Sequence, residues 1–435
     1  MTKRTSRETK QAAAPTRKDN PKLNKTSSRP TGSPSEVRRP PRSAIATLLT
    51  AVVVVIAVAI SSLTGIDVLS LLGLSTSTPT PTVFVTEVAN IPGNVTTISI
   101  PQGFGAQKGF WQVYFTAPTG SRDPATYVGG IEVQLIAAIN QLKAGDTLDI
   151  AAFEFNLPAL TQAVLAAKAR GVVIRMVTDT QHGLEDDDAT VPQLVAAGIP
   201  VVGDQRSAFM HNKFMIVNKQ TVWMGSWNFT INDTYRNNNN ALAIRSQRLV
   251  QNYQVEFDEM FLQKQFGPRS PANTPNPRFS QDGVPMQIYF SPEDKVLPPL
   301  IEALNAARRS VRFMTFSFTD FDAASALLDR AKSGVTVQGI FETVGSQTEA
   351  SELRTLLCAG LDARQDGNPF VLHHKVFIVD EKTVVTGSFN ISTNATESND
   401  ENLLIIQDAD LAGLYVQEFN RRWAEARTPT GIACQ

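Results

Sequence analysis

Histidine, lysine, serine and asparagine recur in one fixed pattern at two places in the chain: His-x-Lys, a hydrophobic run, a turn, and then Gly-Ser-x-Asn. The residues concerned are His211, Lys213, Ser226 and Asn228 in the first copy and His373, Lys375, Ser388 and Asn390 in the second. Three of the four histidines of the protein lie in these copies. One imidazole can attack phosphorus while the other protonates the leaving alcohol, and two ammonium groups can neutralise the developing charge. The pattern therefore predicts one metal-free phosphodiesterase site, to which both halves of the chain contribute.

The elements that position these side chains can be read from the same segments. The hydrophobic run after each lysine predicts a strand, so that His and Lys, two residues apart, point to the same face. Each strand ends in a turn that opens with Asn218 or Asp380, and both residue types suit that position. A second strand then returns Gly-Ser-x-Asn beside the histidine, where the hydroxyl and the amide can donate to a phosphate oxygen.

An internal repeat surrounds the two motifs, with strands and helices matching in the same order in both halves. This order predicts an α/β fold of two similar α/β sandwich lobes packed around a pseudo-twofold axis. The first lobe is predicted at residues 110–267 and the second at residues 284–428. A connector rich in proline and asparagine, residues 268–283, joins them.

The duplicated motif resembles the signature of the phospholipase D superfamily, which is His-x-Lys-x4-Asp followed by Gly-Ser-x-Asn. The resemblance covers about residues 110–426 and implies a two-lobed α/β sandwich that needs no metal and no cofactor. It implies a covalent phosphohistidine, with His211 and His373 as nucleophile and acid. By the same resemblance the phosphate ligands are Lys213, Lys375, Ser226, Ser388, Asn228 and Asn390.

The first copy departs from the superfamily pattern at two positions. Asn218 stands where the second copy has Asp380, and Asn239 stands where the second copy has Glu401. Asparagine keeps a hydrogen-bond acceptor but loses the charge that raises imidazole basicity. We therefore expect His373, with both carboxylates nearby, to be the nucleophile, and the histidine of the first copy, lacking a carboxylate, to transfer the proton.

The N-terminal segments differ sharply from the body in charge. Residues 1–43 carry 12 basic and three acidic residues, whereas the remainder carries 28 and 38. We interpret residues 1–43 as a disordered cytoplasmic tail, 44–66 as a transmembrane helix and 67–109 as a linker. A cleaved signal peptide is the alternative. The body is then outside the cytoplasm, at the cell membrane, where Cys358 and Cys434 either pair or stay free.

These features together predict a phosphoric diester hydrolase of the phospholipase D type that converts phospholipids at a membrane surface to phosphatidate. The catalytic unit is expected to be monomeric. An extracytoplasmic endonuclease, a phosphatidyltransferase and an inactive surface-binding module remain open as alternatives. A nuclease would take nucleic acid as its substrate. Nonspecific nucleic-acid binding depends on neutralising phosphates, so the acidic body disfavours this alternative. The other two histidines have no predicted catalytic role. We expect His374 to be a packed or solvated side chain. His182 precedes an acidic run that we interpret as a solvated turn, with a calcium site as the alternative.

Overall fold

Residues 93–434 are described by the computed structural model of the protein. In this part of the chain the first lobe contains a nine-stranded mixed sheet of order β1-β2-β3-β9-β8-β7-β4-β5-β6. Its strands are β1 (Thr96–Ile98), β2 (Gly103–Lys108), β3 (Trp111–Thr116), β4 (Thr147–Ala152), β5 (Val173–Thr178), β6 (Val201–Gly203), β7 (Lys213–Val217), β8 (Thr221–Gly225) and β9 (Asn240–Arg245). Its helices are α1 (Glu132–Asn140), α2 (Pro158–Ala169), α3 (Val191–Ala196), α4 (Ile231–Tyr235) and α5 (Gln247–Asp258).

The second lobe repeats this arrangement with an eight-stranded sheet of order β10-β11-β17-β16-β15-β12-β13-β14. Its strands are β10 (Arg278–Gln281), β11 (Val284–Ser291), β12 (Ser310–Thr315), β13 (Thr336–Phe341), β14 (Asp362–Gln365), β15 (Lys375–Val379), β16 (Thr383–Gly387) and β17 (Glu401–Gln407). Its helices are α6 (Leu297–Asn305), α7 (Phe321–Lys332), α8 (Leu353–Cys358), α9 (Thr393–Glu397) and α10 (Ala409–Glu425). The two-lobed α/β duplication predicted from the repeat is confirmed.

Three apolar clusters divide the interior of the described residues. One lies on the outer face of each sheet, beneath α1–α3 in the first lobe and α6–α8 in the second. The third fills the space between the lobes and contains side chains from both sheets and from α5 and α10. Tyr415 of α10 packs edge-on against Phe115 of the other lobe, and Tyr253 of α5 packs in the same way against Phe290. Each long C-terminal helix therefore joins its own lobe to the other one.

The strands that carry the motifs are buried along their whole length. Every residue of β7 and of β15 is buried, because each strand has neighbours on both sides and apolar layers on both faces. A strand in such a position reads as a continuous hydrophobic run rather than as an alternating one. This burial fixes the two strands rigidly, so the side chains at their first residues are positioned by the core.

Several predicted boundaries differ from the structure. Residues 96–98 and 103–108 of the predicted linker 67–109 form β1 and β2 of the first sheet, and the predicted connector 268–283 contains β10. No helix within residues 93–434 is long and apolar enough to cross a membrane. The predicted tail 1–43 and transmembrane helix 44–66 lie outside the described residues. Cys358 and Cys434 form a disulfide, with their Cα atoms 5.3 Å apart.

Candidate active site

The two histidines meet at the boundary between the lobes, each held by the backbone of the opposite lobe. The amide of His211 donates to the carbonyl of Asp400 (3.0 Å), and the amide of His373 donates to the carbonyl of Asn238 (2.9 Å). The charge of His373 acts on the pKa of His211, as do the charges of Lys213 and Lys375. The structure therefore brings both motifs into one site, in which two imidazoles and two lysines lie close enough to affect one another's pKa values.

Glycine is required where each Gly-Ser-x-Asn segment begins. Gly225 has a φ of +150° and Gly387 a φ of +156°, in the range that favours glycine. A Cβ atom at these positions would lie 2.4 Å from the carbonyl oxygen of Asn240 and 2.2 Å from that of Asn402, respectively. The missing side chain lets the end of β8 approach the start of β9, and β16 approach β17. This close approach positions the serine that follows each glycine.

The two lysines occupy equivalent environments. The Nζ of Lys213 donates to the carbonyl of His211 (2.7 Å) and lies 4.8 Å from the ring centre of Phe153. In the same way, Lys375 donates to His373 (2.8 Å) and lies 4.8 Å from the ring centre of Phe316. Burial lowers the pKa of Lys213 to about 8, and burial with the nearby Lys213 holds that of Lys375 well below its usual range. An anion bound between them would raise both pKa values again.

The imidazoles differ in their partners, and each partner comes from the other lobe. The Nδ1 of His211 lies 2.7 Å from Oε2 of Glu401, whereas the Nδ1 of His373 lies 3.0 Å from Oδ1 of Asn239. The expectation that Glu401 lies beside His373 is therefore wrong, as is the expectation that His211 lacks a carboxylate. Asn239 immediately precedes β9 and Glu401 is the first residue of β17, and each lies beside the histidine of the opposite lobe.

Asp233 is a carboxylate at the site that the sequence analysis missed. It lies on the short helix α4, fully buried, with Oδ2 3.4 Å from the Nδ1 of His373. Burial alone would raise its pKa, but His373 and hydrogen bonds from the Asn237 side chain and the Asn228 amide hold that pKa well below its usual range. In the second lobe the equivalent residue of α9 is Ala395. The sequence signal that could have identified Asp233 is an acidic residue that is present in one repeat and absent at the equivalent position of the other.

The hydrogen bonds around Asn239 fix the protonation of His373. The Nδ2 of Asn239 donates to the carbonyl of Asp233 (3.1 Å), and its Oδ1 accepts from the Ser226 hydroxyl (2.8 Å). The amide oxygen therefore faces His373 and can only accept, so the Nδ1 of His373 carries the proton. Burial lowers the pKa of His373 to about 4. At neutral pH its Nε2 therefore carries a free lone pair.

The Glu401–His211 pair behaves differently because a carboxyl group can hold a proton. Burial raises the pKa of Glu401 to about 8, while Ser388, Asn399 and Lys213 act in the opposite direction. Burial also holds the pKa of His211 well below its usual range. Near neutral pH, one proton is shared between Oε2 of Glu401 and Nδ1 of His211, and the Nε2 of His211 carries a second proton. The imidazole can therefore release the Nε2 proton while Glu401 gives the shared proton to Nδ1.

Asp380 and Asn218 lie away from the imidazoles. The carboxylate of Asp380 accepts from the amides of Arg308, Arg309 and Ser310, and these contacts lower its pKa despite partial burial. Asn218 takes the same place in the first lobe, where its Oδ1 accepts from Thr147 at 3.5 Å. The prediction that Asp380 supports His373 is therefore wrong, because the carboxylate stabilises a turn at the far end of β15.

The serine and asparagine of each Gly-Ser-x-Asn segment have separate tasks. The hydroxyls of Ser226 and Ser388 hydrogen-bond Asn239 and Glu401, so these serines orient the imidazole partners. The side-chain Oδ1 atoms of Asn228 and Asn390 are buried and have no hydrogen-bond partner among the described residues. Because the side-chain nitrogen of an amide carries two donors, contact of Asn228 and Asn390 with a phosphate oxygen stays a prediction.

A small polar cavity opens beside the first-lobe motif. Its volume is about 140 Å³, and Glu154 and His182 are among its lining residues. Burial raises the pKa of Glu154 to about 7. His182 bonds Asp179 through Nδ1 (2.9 Å) and stacks on Phe153, so its half-buried ring packs at the rim of the site. The acidic residues 185–188 that follow it are exposed, as predicted.

The comparison with protein families supports this reading of the repeat. Residues 135–261 and 300–423 match the family described as cardiolipin synthase, PLD-like domain. One matched segment lies in each lobe, and together they cover more than half of the chain. The chain belongs to the phospholipase D-like family. The prediction of a phosphoric diester hydrolase of the phospholipase D type is confirmed at the level of the family.

Individual relatives match over about the length of one lobe. The mitochondrial cardiolipin hydrolase of Mus musculus is 33% identical over 157 residues, which are 36% of this chain and 68% of that protein. Phospholipase D of Rickettsia bellii is 29% identical over 159 residues, or 35% and 79% of the two chains. The chain spans only 52% of the human cardiolipin hydrolase. The phosphatidylserine synthase structure from Haemophilus influenzae shares the fold, with a TM-score of 0.53, 15% identity, and coverage of 69% and 86%.

Proposed function

We propose that the protein hydrolyses phospholipid phosphodiesters to phosphatidate at a membrane surface, through a covalent phosphohistidine and without a metal ion in the reaction. The observation that carries this proposal is the pairing of two buried imidazoles with two buried lysines across the lobe boundary. Buried ammonium groups with lowered pKa values favour the binding of an anion, such as a phosphodiester group, that neutralises their charge.

In the first step, Nε2 of His373 attacks phosphorus and the bond from phosphorus to the headgroup oxygen breaks. His211 gives its Nε2 proton to that oxygen, so the headgroup leaves as a neutral alcohol. Lys213 and Lys375 stabilise the negative charge on the equatorial oxygens. The Asp233 carboxylate stabilises the positive charge that forms on the imidazole of His373.

In the second step, His211 removes a proton from water and the resulting oxygen attacks the phosphohistidine. The phosphorus–nitrogen bond breaks, phosphatidate leaves, and both imidazoles return to their starting protonation states. An alcohol in place of water would give phosphatidyl transfer by the same route. We therefore keep the proposal that His373 is the nucleophile and His211 transfers the proton. The supporting observations differ from those expected: Asn239 fixes the tautomer of His373, and Glu401 supplies a proton to His211.

Two features favour a lipid as the substrate. The matched relatives are named cardiolipin hydrolase and phospholipase D. In the second lobe, Phe321 and Val344 are 63% and 72% exposed and follow the C-terminal ends of β12 and β13. Lys375 pairs with Thr315, the last residue of β12, so these apolar side chains lie towards the same edge as the site. Exposed apolar groups beside a charged site suit a substrate that sits in a membrane.

The proposal includes the predicted location at the cell membrane. The apolar segment 44–66 would hold the catalytic body near a bilayer, with the basic segment 1–43 on the cytoplasmic side. Protease added to intact cells should therefore degrade the body and leave the tail protected.

The test compares substrates under identical conditions. The purified full chain in non-ionic detergent, with EDTA present, is given mixed micelles of phosphatidylcholine or cardiolipin and, separately, single-stranded and plasmid DNA. Phosphatidate release that is lost in both His211→Ala and His373→Ala supports the proposal. Cleavage of DNA alone would assign a nuclease. If the folded protein is inactive on every substrate, the inactive surface-binding module is favoured. Complete loss of activity in EDTA, at a temperature where the protein stays folded, would contradict the metal-free reaction.

Trapping of the covalent intermediate separates the two histidines. Substrate with radiolabelled phosphorus is mixed with protein and quenched by denaturation in alkali, in which phosphohistidine survives. Label should remain on the wild type and on His211→Ala supplied with a substrate that has a good leaving group. Label on His373→Ala would assign the nucleophile to His211 instead.

A further inference from the structure

The two lobe-bridging helices carry an equivalent buried glutamate. The sequence Tyr253-x-x-Glu256-Phe257 of α5 corresponds to Tyr415-x-x-Glu418-Phe419 of α10. Glu256 is 3% exposed and Glu418 is 1% exposed. Removing a carboxylate from water costs several kcal/mol, so each of these groups needs a cation, hydrogen bonds or a proton.

In the second lobe, two arginines and a histidine surround the glutamate. Oxygens of Glu418 lie 2.7 Å from Arg421, 3.2 Å from Arg422 and 3.2 Å from the Nε2 of His374. Although burial acts in the opposite direction, Arg422 and Arg421 hold the pKa of Glu418 well below its usual range. His374 is thus a packed histidine with a structural partner.

In the first lobe the equivalent positions hold no positive charge. The residues that correspond to Arg421, Arg422 and His374 are Glu259, Met260 and Asn212. Asn212 donates to Oε1 of Glu256 at 3.0 Å, which satisfies one oxygen without adding charge. A further carboxylate, that of Glu293, reaches the same place from the turn after β11 of the second lobe. The repeat has thus replaced cations by carboxylates at one of two equivalent places.

The three glutamates form a compact group of oxygen atoms. One oxygen each from Glu256, Glu259 and Glu293 lie within 4.8 Å of one another. Within residues 93–434, none of the three forms an ion pair with a lysine, arginine or histidine. Glu259 is 1% exposed, and its Oε1 is buried without a hydrogen-bond donor; the same holds for Oε2 of Glu293. Burial raises the pKa of Glu259 to about 7, although hydrogen bonds from Asn273 and Ser270 act in the opposite direction. Burial, together with the charges of Asp400 and Glu259, raises the pKa of Glu293 to about 8.

We propose that Glu256, Glu259 and Glu293 bind one divalent cation, calcium by preference, between helix α5 of the first lobe and the β11–α6 turn of the second. Calcium takes oxygen ligands at about 2.3–2.6 Å, so two ligands of one ion lie up to about 5 Å apart, as these oxygens do. The ion takes the place of the guanidinium groups that neutralise Glu418 in the other lobe. It has no part in the reaction, because the group includes neither imidazole of the active site.

The ion would connect to the active site through Asn212. This residue lies between His211 and Lys213, donates to Glu256, and accepts from Asn402 at 2.7 Å. Asn402 follows Glu401 directly at the start of β17. The cation would therefore stabilise the contact between lobes on which the imidazole partners depend.

The test uses the full chain in non-ionic detergent, stripped with EDTA and then dialysed against calcium chloride. We expect one calcium per chain by equilibrium dialysis, and a melting temperature on the order of 5 °C higher in saturating calcium than in EDTA. The Glu259→Arg variant copies the second lobe, so it should not bind calcium and should melt in EDTA no lower than the stripped wild type. Glu349→Gln, at an exposed glutamate, is the control and should respond to calcium as the wild type does.

Two outcomes would overturn the proposal. Equal melting temperatures in calcium and in EDTA, with no bound ion, would mean that the three glutamates are neutralised by protons. Undiminished calcium binding by Glu259→Arg would place the ion elsewhere. Glu293→Gln provides a second variant if the arginine does not fit, and it should lower calcium affinity at least tenfold.

Discussion

Replacing Asp233 by asparagine tests the proposed role of His373 directly. The substitution keeps the size of the side chain and one oxygen but removes the charge 3.4 Å from Nδ1. With an effective dielectric constant of about 20, two unit charges at this distance attract by about 5 kcal/mol. Only part of the imidazolium charge exists in the transition state, and Lys375 and Lys213 oppose it. We therefore take about half, or about 2.5 kcal/mol, as the loss of transition-state stabilisation.

This energy corresponds to a fall in kcat of about 70-fold. The assay is single-turnover formation of phosphohistidine on the purified full chain, because that step creates the charge. The pH profile gives a second readout. His373 must be unprotonated to attack, and Asp233 raises the pKa of His373. Removing the carboxylate lowers that pKa, so the acid limb of kcat/KM should move to lower pH while the maximum falls.

A matched rescue separates electrostatics from folding. Asn239→Glu in the Asp233→Asn background returns a carboxylate to the position that Glu401 holds in the other lobe. It should recover at least tenfold of the lost activity. Asp282→Asn, an exposed site, is the control for the substitution itself. Activity of Asp233→Asn within threefold of the wild type, with an unchanged acid limb, would refute this account of His373.

Three further predictions concern charge, lipid contact and the disulfide. Lys375→Met should lower kcat by about 10²–10³-fold in the micelle assay, whereas Lys382→Met, at an exposed lysine of the turn at the far end of β15, should have little effect. The double variant Phe321→Ser with Val344→Ser should lose activity on vesicles but not on a soluble short-chain phosphodiester. Reducing the disulfide of Cys358, which closes a loop with a sequence separation of 76, should lower the free energy of unfolding by about 4 kcal/mol in urea titrations.

Each of these has a result that would contradict it. Equal losses in the two lysine variants would mean that general charge, and not the site, governs turnover. Equal losses on vesicles and on the soluble substrate would mean that the two apolar residues support the fold and not a membrane contact. A stability change below about 1 kcal/mol on reduction would show that the C-terminus is held without the bond.

The repeat and the two motifs could be predicted from the sequence because both depend on local patterns. Strands β7 and β15 are continuous apolar runs, and His-x-Lys stands at the start of each. The sequence pattern does not predict strands β1 and β2, because they are short and their burial depends on β3, which lies later in the chain. Segments of this kind gain their structure from a neighbour and not from their own pattern.

The partners of the imidazoles could not be predicted because they come from the opposite lobe. Reading along the sequence placed Glu401 with His373, 28 positions before it, whereas the fold places it with His211. Asp380 appeared equivalent to a catalytic acid but stabilises a turn. A motif read within one lobe therefore identified the residue types correctly and paired them wrongly.

The exchange between lobes also explains how the two copies could diverge without losing either histidine. Because position 239 serves the histidine of the other lobe, an asparagine there affects His373 alone and leaves His211 with Glu401. The buried Asp233 on α4 then supplies the missing charge from a position that is alanine in the second lobe. The acceptor that cannot be protonated faces the proposed nucleophile, and the acid that can be protonated faces the proposed proton donor. In the proposed mechanism, the asymmetry between the two copies thus assigns different tasks to two chemically identical side chains, which a symmetric pair of glutamates would not do.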